Sequence, residues 1–367
     1  MIYLDYAANT PVEEEVLEEF IKITRKHIAN PNSTHKIGKE AKQIIDDASK
    51  NIAKYFKCKK ENIIYTSGAS ESNNLVIKGI VNQKEKGKII ISATEHSSIV
   101  APCNYLAEKG YEVSIIQLKK EGIIDIENLK KELDENAVLV SINAVDSELG
   151  TLQPIEKIGE ILKDYPNIVF HTDATQAIGK TNINYENVDF ITFAPHKFFG
   201  LNGTGVLVNR NNKKLIPLIH GGKSTTKYRS GTPVTANIAA LNIAFDLAVK
   251  NLKDREDYTT KLNKRLREEL SKLKSVHINS PKKSIKTTLN ISLTDKNAKE
   301  IAKKLEENEI YLSTTTACSL DNMPSKSVYA ITKDENLAKN TIRISLSHKT
   351  KEEEIDRFLN IFKELLK

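Results

Sequence analysis

Four chemically capable groups follow short apolar runs. Lys197 lies in FAPHKFFG (193–200), directly after the run FITFAP. Lysine is costly to bury because desolvation disfavours its charged form, so a lysine placed there invites a chemical use. Asp173 stands in HTDATQ (171–176), at the end of a second run, and His96 in SATEHSS (92–98), after a third. TSGASESNN (66–74) follows a fourth and opens a helix at Gly68-Ala69-Ser70. Active sites in parallel sheets gather at the carboxyl ends of the strands, so one face would receive all four.

Together they suit an aromatic cation that carries a phosphate. Backbone N–H groups of Gly68, Ala69 and Ser70, at a helix N-terminus, would hold the phosphate. Asp173 would pair with a protonated ring nitrogen, and His96 would stack on the ring. Lys197, its pKa lowered by burial, would condense with an aldehyde. That ligand is pyridoxal 5′-phosphate. Taken singly, each feature has a plainer reading as a helix cap, a turn aspartate, a hydrogen-bonded histidine or an exposed lysine. Their joint occurrence, in this order and at strand ends, favours the cofactor. Cys318 stands in LSTTTACSLDNMPSKSVY (312–329), whose Ser, Thr, Asp and Asn suit an exposed loop. It is either incidental or a thiolate nucleophile. Arg343, in IRISLS, reads on its own as a surface strand arginine.

The elements that must position these residues form an α/β pattern. Strands are expected at 62–66, 88–93, 112–118, 137–144, 167–174, 190–195 and 205–209, several of them near-continuous apolar runs, as strands covered on both faces should be. Amphipathic helices such as IEKIGEILKDY (155–165) lie between them. That predicts a largely parallel sheet. A long helical stretch is expected over 235–275. Strands at 287–293, 310–315 and 341–347 then alternate with helices in a smaller α+β unit. The expected division is a large cofactor-binding domain over 14–250 and a small domain from 1–13 with 251–367, which carries the Cys318 loop.

The chain has 367 residues, too many for one ordinary core. Its net charge of +7 comes from lysines and arginines spread along the whole length, with no basic tail or zinc knuckle, so no nucleic-acid partner is expected. Neither a signal peptide nor an apolar run long enough for a membrane helix is visible, and a cytoplasmic location is expected. Cys58, Cys103 and Cys318 are too far apart for a disulfide framework or a thiolate metal site, so no metal is expected.

The chain resembles the cysteine desulfurases, class V members of the fold-type I pyridoxal-phosphate enzymes. DYAANTPV, NPNSTHKIGKEA (30–41), TSGASESNN, TEHSSI, ELGTLQPI (148–155), HTDATQAIGK, HKFFG followed by GTGVL, and RSGT (229–232) carry the likeness in the family's order along nearly the whole chain. The resemblance implies that Lys197 attaches the cofactor, Asp173 meets the ring nitrogen, Gln176 bonds the ring oxygen, and His96 stacks and takes part in proton transfer. It implies that Ala69, Ser70 and His196 contact the phosphate. Thr232 would reach the phosphate of a partner subunit, making the protein a homodimer. Arg343, a planar bidentate donor, would bind the substrate carboxylate, with Asn32 of NPNST assisting it. Cys318 would take sulfur from L-cysteine as a persulfide, leaving alanine, and pass it to a sulfur acceptor or an iron–sulfur scaffold protein, or toward tRNA thiolation. Cys58 and Cys103 match no functional position.

Three departures from the family pattern stand out. Ser147 replaces an asparagine that touches the ring oxygen, KSTTKY (223–228) replaces a segment usually richer in glycine, and Thr315 replaces a loop glycine before Cys318. The alternatives to a desulfurase are a selenocysteine lyase, an aminotransferase or β-eliminase of the same fold, and a non-catalytic scaffold.

Overall fold

The computed structural model describes residues 1–222, 224–314 and 323–367. Cys318, Thr315 and Lys223 lie outside the described residues.

Among the described residues the strands, in chain order, are β1 (Ile2–Tyr3), β2 (Ile63–Thr66), β3 (Lys88–Ser92), β4 (Glu112–Ile116), β5 (Ala137–Ser141), β6 (Val169–Asp173), β7 (Phe190–Phe193), β8 (Gly205–Asn209), β9 (Val276–Ile278), β10 (Thr288–Leu293), β11 (Ile310–Tyr311) and β12 (Thr341–Ser345). Seven of them form one sheet in the order β2-β8-β7-β6-β5-β3-β4. β3 pairs in parallel with β4 and β5, and the parallel run continues through β6 to β7. β8 alone runs antiparallel, to both β2 and β7. The sheet is therefore mixed but mostly parallel, as the sequence predicts. Every residue of β2, β3, β6, β7 and β8 is buried, because these apolar strands are covered on both faces. Edge strand β4 exposes part of its length.

Gly205 fixes a close approach that matters for the site. A Cβ there would come within 2.4 Å of the Gly68 backbone. Only glycine lets β8 lie so near the turn that precedes the helix Ala69–Val81.

A second set of elements closes over the sheet's carboxyl ends. β12, β10 and β9 form an antiparallel sheet, and β1 pairs in parallel with β11. Ile2 and Leu4 pack in one apolar cluster with Leu262, Ile291, Ile344 and Phe358, so the first residues of the chain are buried among its last hundred. The expected single helix over 235–275 is two, Thr235–Lys250 and Leu252–Leu270, which meet at Asn251. The strand expected at 310–315 is regular only over Ile310–Tyr311 in its described part, because Ser313 bridges to Arg343 instead. Strands β1 and β9 were not expected; two or three residues carry no readable alternation.

Candidate active site

The carboxyl ends of β2, β3, β6 and β7 converge on a cavity of about 340 Å³. Its wall includes Gly68, Ala69, Ser70, His96, Asp173, Gln176, His196, Lys197, Ser147 and Arg343. Ten predicted site residues thus share one concave space.

Lys197 ends a short 3-10 turn that follows β7, which points its side chain inward. Its Nζ donates to the carbonyls of Ala7, at 3.1 Å, and Ala8. The N-terminal segment therefore forms the wall against which the lysine rests.

Asp173 is the last residue of β6 and is buried. One carboxyl oxygen accepts from the Thr175 N–H at 2.9 Å, the other from Asn73 Nδ2 at 2.8 Å. Asn73 lies one turn into the helix Ala69–Val81, on the face of Ala69, and also donates to Ser98 Oγ at 2.9 Å. This residue was missed in the sequence, although its spacing of four from Ala69 could have revealed it.

His96 caps the helix Ser97–Ala107, where its Nδ1 accepts from the Ser98 backbone N–H at 3.1 Å. A backbone N–H can only donate, so the neutral ring carries its proton on Nε2. Burial, with the charges of Lys197 and Lys180 added, pushes the neighbouring His196 down to about 4, so it is neutral near pH 7.

Arg343, on β12, is only 2% exposed. It donates to Asp5 at 2.9 Å, to the Ser147 carbonyl at 3.2 Å and to Ser313 Oγ at 3.3 Å, while its Nε has no partner among the described residues. Asp5, also missed in the sequence, is its counter-ion.

Two predicted residues stand apart. Asn32 is exposed, bonds Ser224 at 3.2 Å and is absent from the cavity wall. Thr232 is also exposed and absent from that wall. Cys318 is outside the described residues. Chain description resumes at Met323, which lines an adjoining cavity of about 270 Å³ that shares Thr94, His96 and Ser147 with the first.

Buried carboxyls lie beneath this second cavity. Glu95 is pushed up to about 8 by burial, and Glu148 to about 7 by burial and the neighbouring Asp146. Glu148 accepts from Ser325, and Asp146 from Ser327 at 2.8 Å. These bonds tie the turn after β5 to the helix Lys326–Thr332.

The aminotransferase class-V family matches residues 2–358. The chain belongs to that family. Among its relatives, the cysteine desulfurase IscS of Dictyoglomus turgidum is 35% identical and covers 100% of this chain and 94% of its own length. The cysteine desulfurase IscS of Methanosarcina thermophila is 34% identical and covers 100% and 92%. Among solved structures, a NifS-like protein superposes with a TM-score of 0.94 at 34% identity, covering 100% of this chain and 99% of its own. SspA in complex with cysteine superposes with a TM-score of 0.83 at 33% identity, covering 94% and 99%. The α/β fold and the class-V assignment expected from the sequence are therefore correct.

Class-V enzymes use pyridoxal 5′-phosphate, and this cavity suits it. Its volume falls in the range of small-ligand sites, about 300–1,000 Å³. Asn143 and Thr175 line it, and their Oδ1 and Oγ1 are buried without hydrogen-bond partners among the described residues. Buried polar atoms in native proteins are almost always paired, so these two oxygens leave hydrogen-bonding capacity in residues of the cavity wall. A helix N-terminus for a phosphate, a carboxylate for a cationic ring and an amine for an aldehyde complete the match.

Proposed function

We propose that the protein is a pyridoxal-phosphate-dependent cysteine desulfurase that takes sulfur from L-cysteine, releases L-alanine and carries the sulfur as a persulfide on Cys318. One observation carries the reading. In a class-V chain, Lys197, Asp173, His96 and the buried Arg343 share a single cavity.

When bound, pyridoxal phosphate supplies an electron-withdrawing ring that stabilises negative charge on the carbon beside the substrate amine. The chain's residues do the rest. Backbone N–H groups of Ala69 and Ser70, with His196, hold the phosphate. Asp173, fixed by Asn73 and Thr175, accepts from the ring nitrogen and keeps it charged. His96 covers the ring face and presents Nε2–H toward the cavity. Gln176 and Ser147 reach for the ring oxygen. Lys197 would be the amine that holds the cofactor aldehyde, and it lines the same cavity as Arg343, where it would move a proton at the substrate carbon. Arg343 grips the substrate carboxylate with guanidinium N–H groups, Nε among them, that it does not spend on Asp5. Cys318 then attacks the substrate sulfur as a thiolate. A sulfur–sulfur bond forms, the substrate carbon–sulfur bond breaks, and its electron pair stays with the carbon that becomes the alanine methyl group after protonation.

The active unit is a homodimer in this reading, supported by an RSGT segment that lies off its own cavity wall. The division at 14–250 against 1–13 with 251–367 is supported by the apolar cluster that joins Ile2 and Leu4 to the last hundred residues. Delivery of sulfur to an iron–sulfur scaffold protein or toward tRNA thiolation, in the cytoplasm, fits the same chemistry. Among the described residues, no helix is long and apolar enough to cross a membrane.

The test is incubation of the purified protein with L-cysteine, with and without a thiol reductant. Alanine should form in amounts matching the sulfide released by reductant. Pyruvate or transaminated cofactor in place of alanine would mean a different class-V reaction.

A further inference from the structure

Lys180 closes the turn that follows β6 and was assigned no role in the sequence. Gly179 makes the turn possible. Its φ is +73°, and a Cβ there would press against Ala248 at 2.9 Å and Phe198 at 3.1 Å. The turn brings Lys180 Nζ to within 2.5 Å of Gln176 Oε1. The residue as a whole is half-buried, but its amine end lies deep. Burial, together with the charges of Lys197 and Arg343, pushes that amine down to about 7.

The two residues stand on opposite sides of a partition. Gln176 faces the cofactor cavity. Lys180 faces a water-sized cavity of about 30 Å³ behind it, and Lys197 and Ala7 border both. Arg255 and His348 also line the inner space, and both are paired with Glu13. Gln176 Nε2 donates to the Ala7 carbonyl at 3.0 Å, the same oxygen that receives Lys197. A lysine amine bearing N–H groups meets only the oxygen end of a carboxamide well, so the amide cannot turn over while Lys180 is there.

We propose that Lys180 is a positioning residue that acts through Gln176. By occupying Oε1 it directs the amide N–H groups toward Ala7 and the cofactor cavity, where one remains for the ring oxygen. It also places a second amine behind Lys197, within reach of its charge. The inference rests on the desulfurase reading of the cavity, and the following measurements separate the two.

K180M, K180R, Q176L and the Q176L/K180M double variant are compared by three readouts. These are pyridoxal-phosphate affinity of the apoprotein by fluorescence, the pH midpoint of the bound cofactor's absorbance change, and thermal melting of the apoprotein. K180M should weaken cofactor binding about tenfold, the loss of one good hydrogen bond. It should raise the absorbance midpoint, by less than about one pH unit because the Lys180 amine is only partly charged near pH 7. K180R should stay within about twofold of the parent in affinity. Adding K180M to Q176L should cost no more than about a further twofold, since coupled neighbours are not additive. If K180M does not melt cooperatively, K180Q carries the same two cofactor readouts. An unchanged affinity and midpoint in K180M, or a full tenfold loss on top of Q176L, overturns the proposal. A parent protein that takes up no pyridoxal phosphate overturns the desulfurase reading instead.

Discussion

Asp173 is the residue on which the site depends most directly. It is buried, and its two oxygens already accept from Asn73 and Thr175. Replacing it by alanine leaves a cationic ring nitrogen without a partner, a loss of about 3–5 kcal/mol for one member of a buried pair. Asp173→Ala should retain cofactor poorly and turn over cysteine at least about a hundredfold more slowly, as measured by alanine release; near-parental rates would show that the ring is held otherwise. The three cysteines separate just as cleanly. Burial pushes the Cys58 thiol up to about 11 and the Cys103 thiol up to about 12, so neither is a thiolate at neutral pH. Cys318→Ser should keep the cofactor colour and bind cysteine yet form no alanine, while Cys58→Ser and Cys103→Ala should keep most activity. Mass spectrometry after cysteine addition decides between them: a persulfide on Cys58 or Cys103 sinks the assignment. Lys197, Asp173 and His96 could be read from sequence because each follows an apolar run at a strand end. Asn73 carried only its spacing of four from Ala69 as a signal, and Lys180 and Asp5 carried none, since their value comes from partners four residues away across a turn and 338 residues away.

At the scale of elements, the large sheet was readable because its strands are covered on both faces and so appear as apolar runs. The break at Asn251 was not, since both flanking helices share good helix formers across it. The link between the turn after β5 and the helix Lys326–Thr332 makes a pH-dependent prediction. Glu148 has its carboxyl raised to about 7 in the folded chain, from 4.5 when free. Between those values the unfolded chain has lost a proton that the folded chain still holds, so this residue erodes stability as pH rises through that window. Glu148→Gln keeps an acceptor for Ser325 but cannot ionise. Its stability relative to the parent should therefore climb from pH 4.5 to about 7 and level off above, by about 3 kcal/mol at the outside. Denaturant melts across that range measure it, and a flat difference would mean that Glu148 is ionised in the folded protein.

For the whole molecule, the RSGT segment is the feature that asks for a second subunit. Thr232 is exposed and off its own cavity wall. Sedimentation at micromolar concentration should give about twice the 41.1 kDa chain mass, and Thr232→Ala should weaken cofactor retention without dissociating the dimer. A fully active monomer would refute this arrangement. The expectation rests on the likeness of RSGT to the family pattern and not on composition, because subunit contacts look much like ordinary surface when read alone.

The first ten residues carry a consequence for how the protein is made. Ala7 and Ala8 receive Lys197, Asp5 holds Arg343, and the Ser345 N–H donates to the Leu4 carbonyl at 2.8 Å. These contacts join residues 4–8 to partners as far along the chain as Arg343 and Ser345. A ribosome-bound chain long enough to display Asp173 and Lys197 still lacks the strand that gives its leading segment a place to dock. Such long-range closures come late in folding. The reactive lysine thus gains its supporting carbonyls only once β12 has been made and has docked against Leu4.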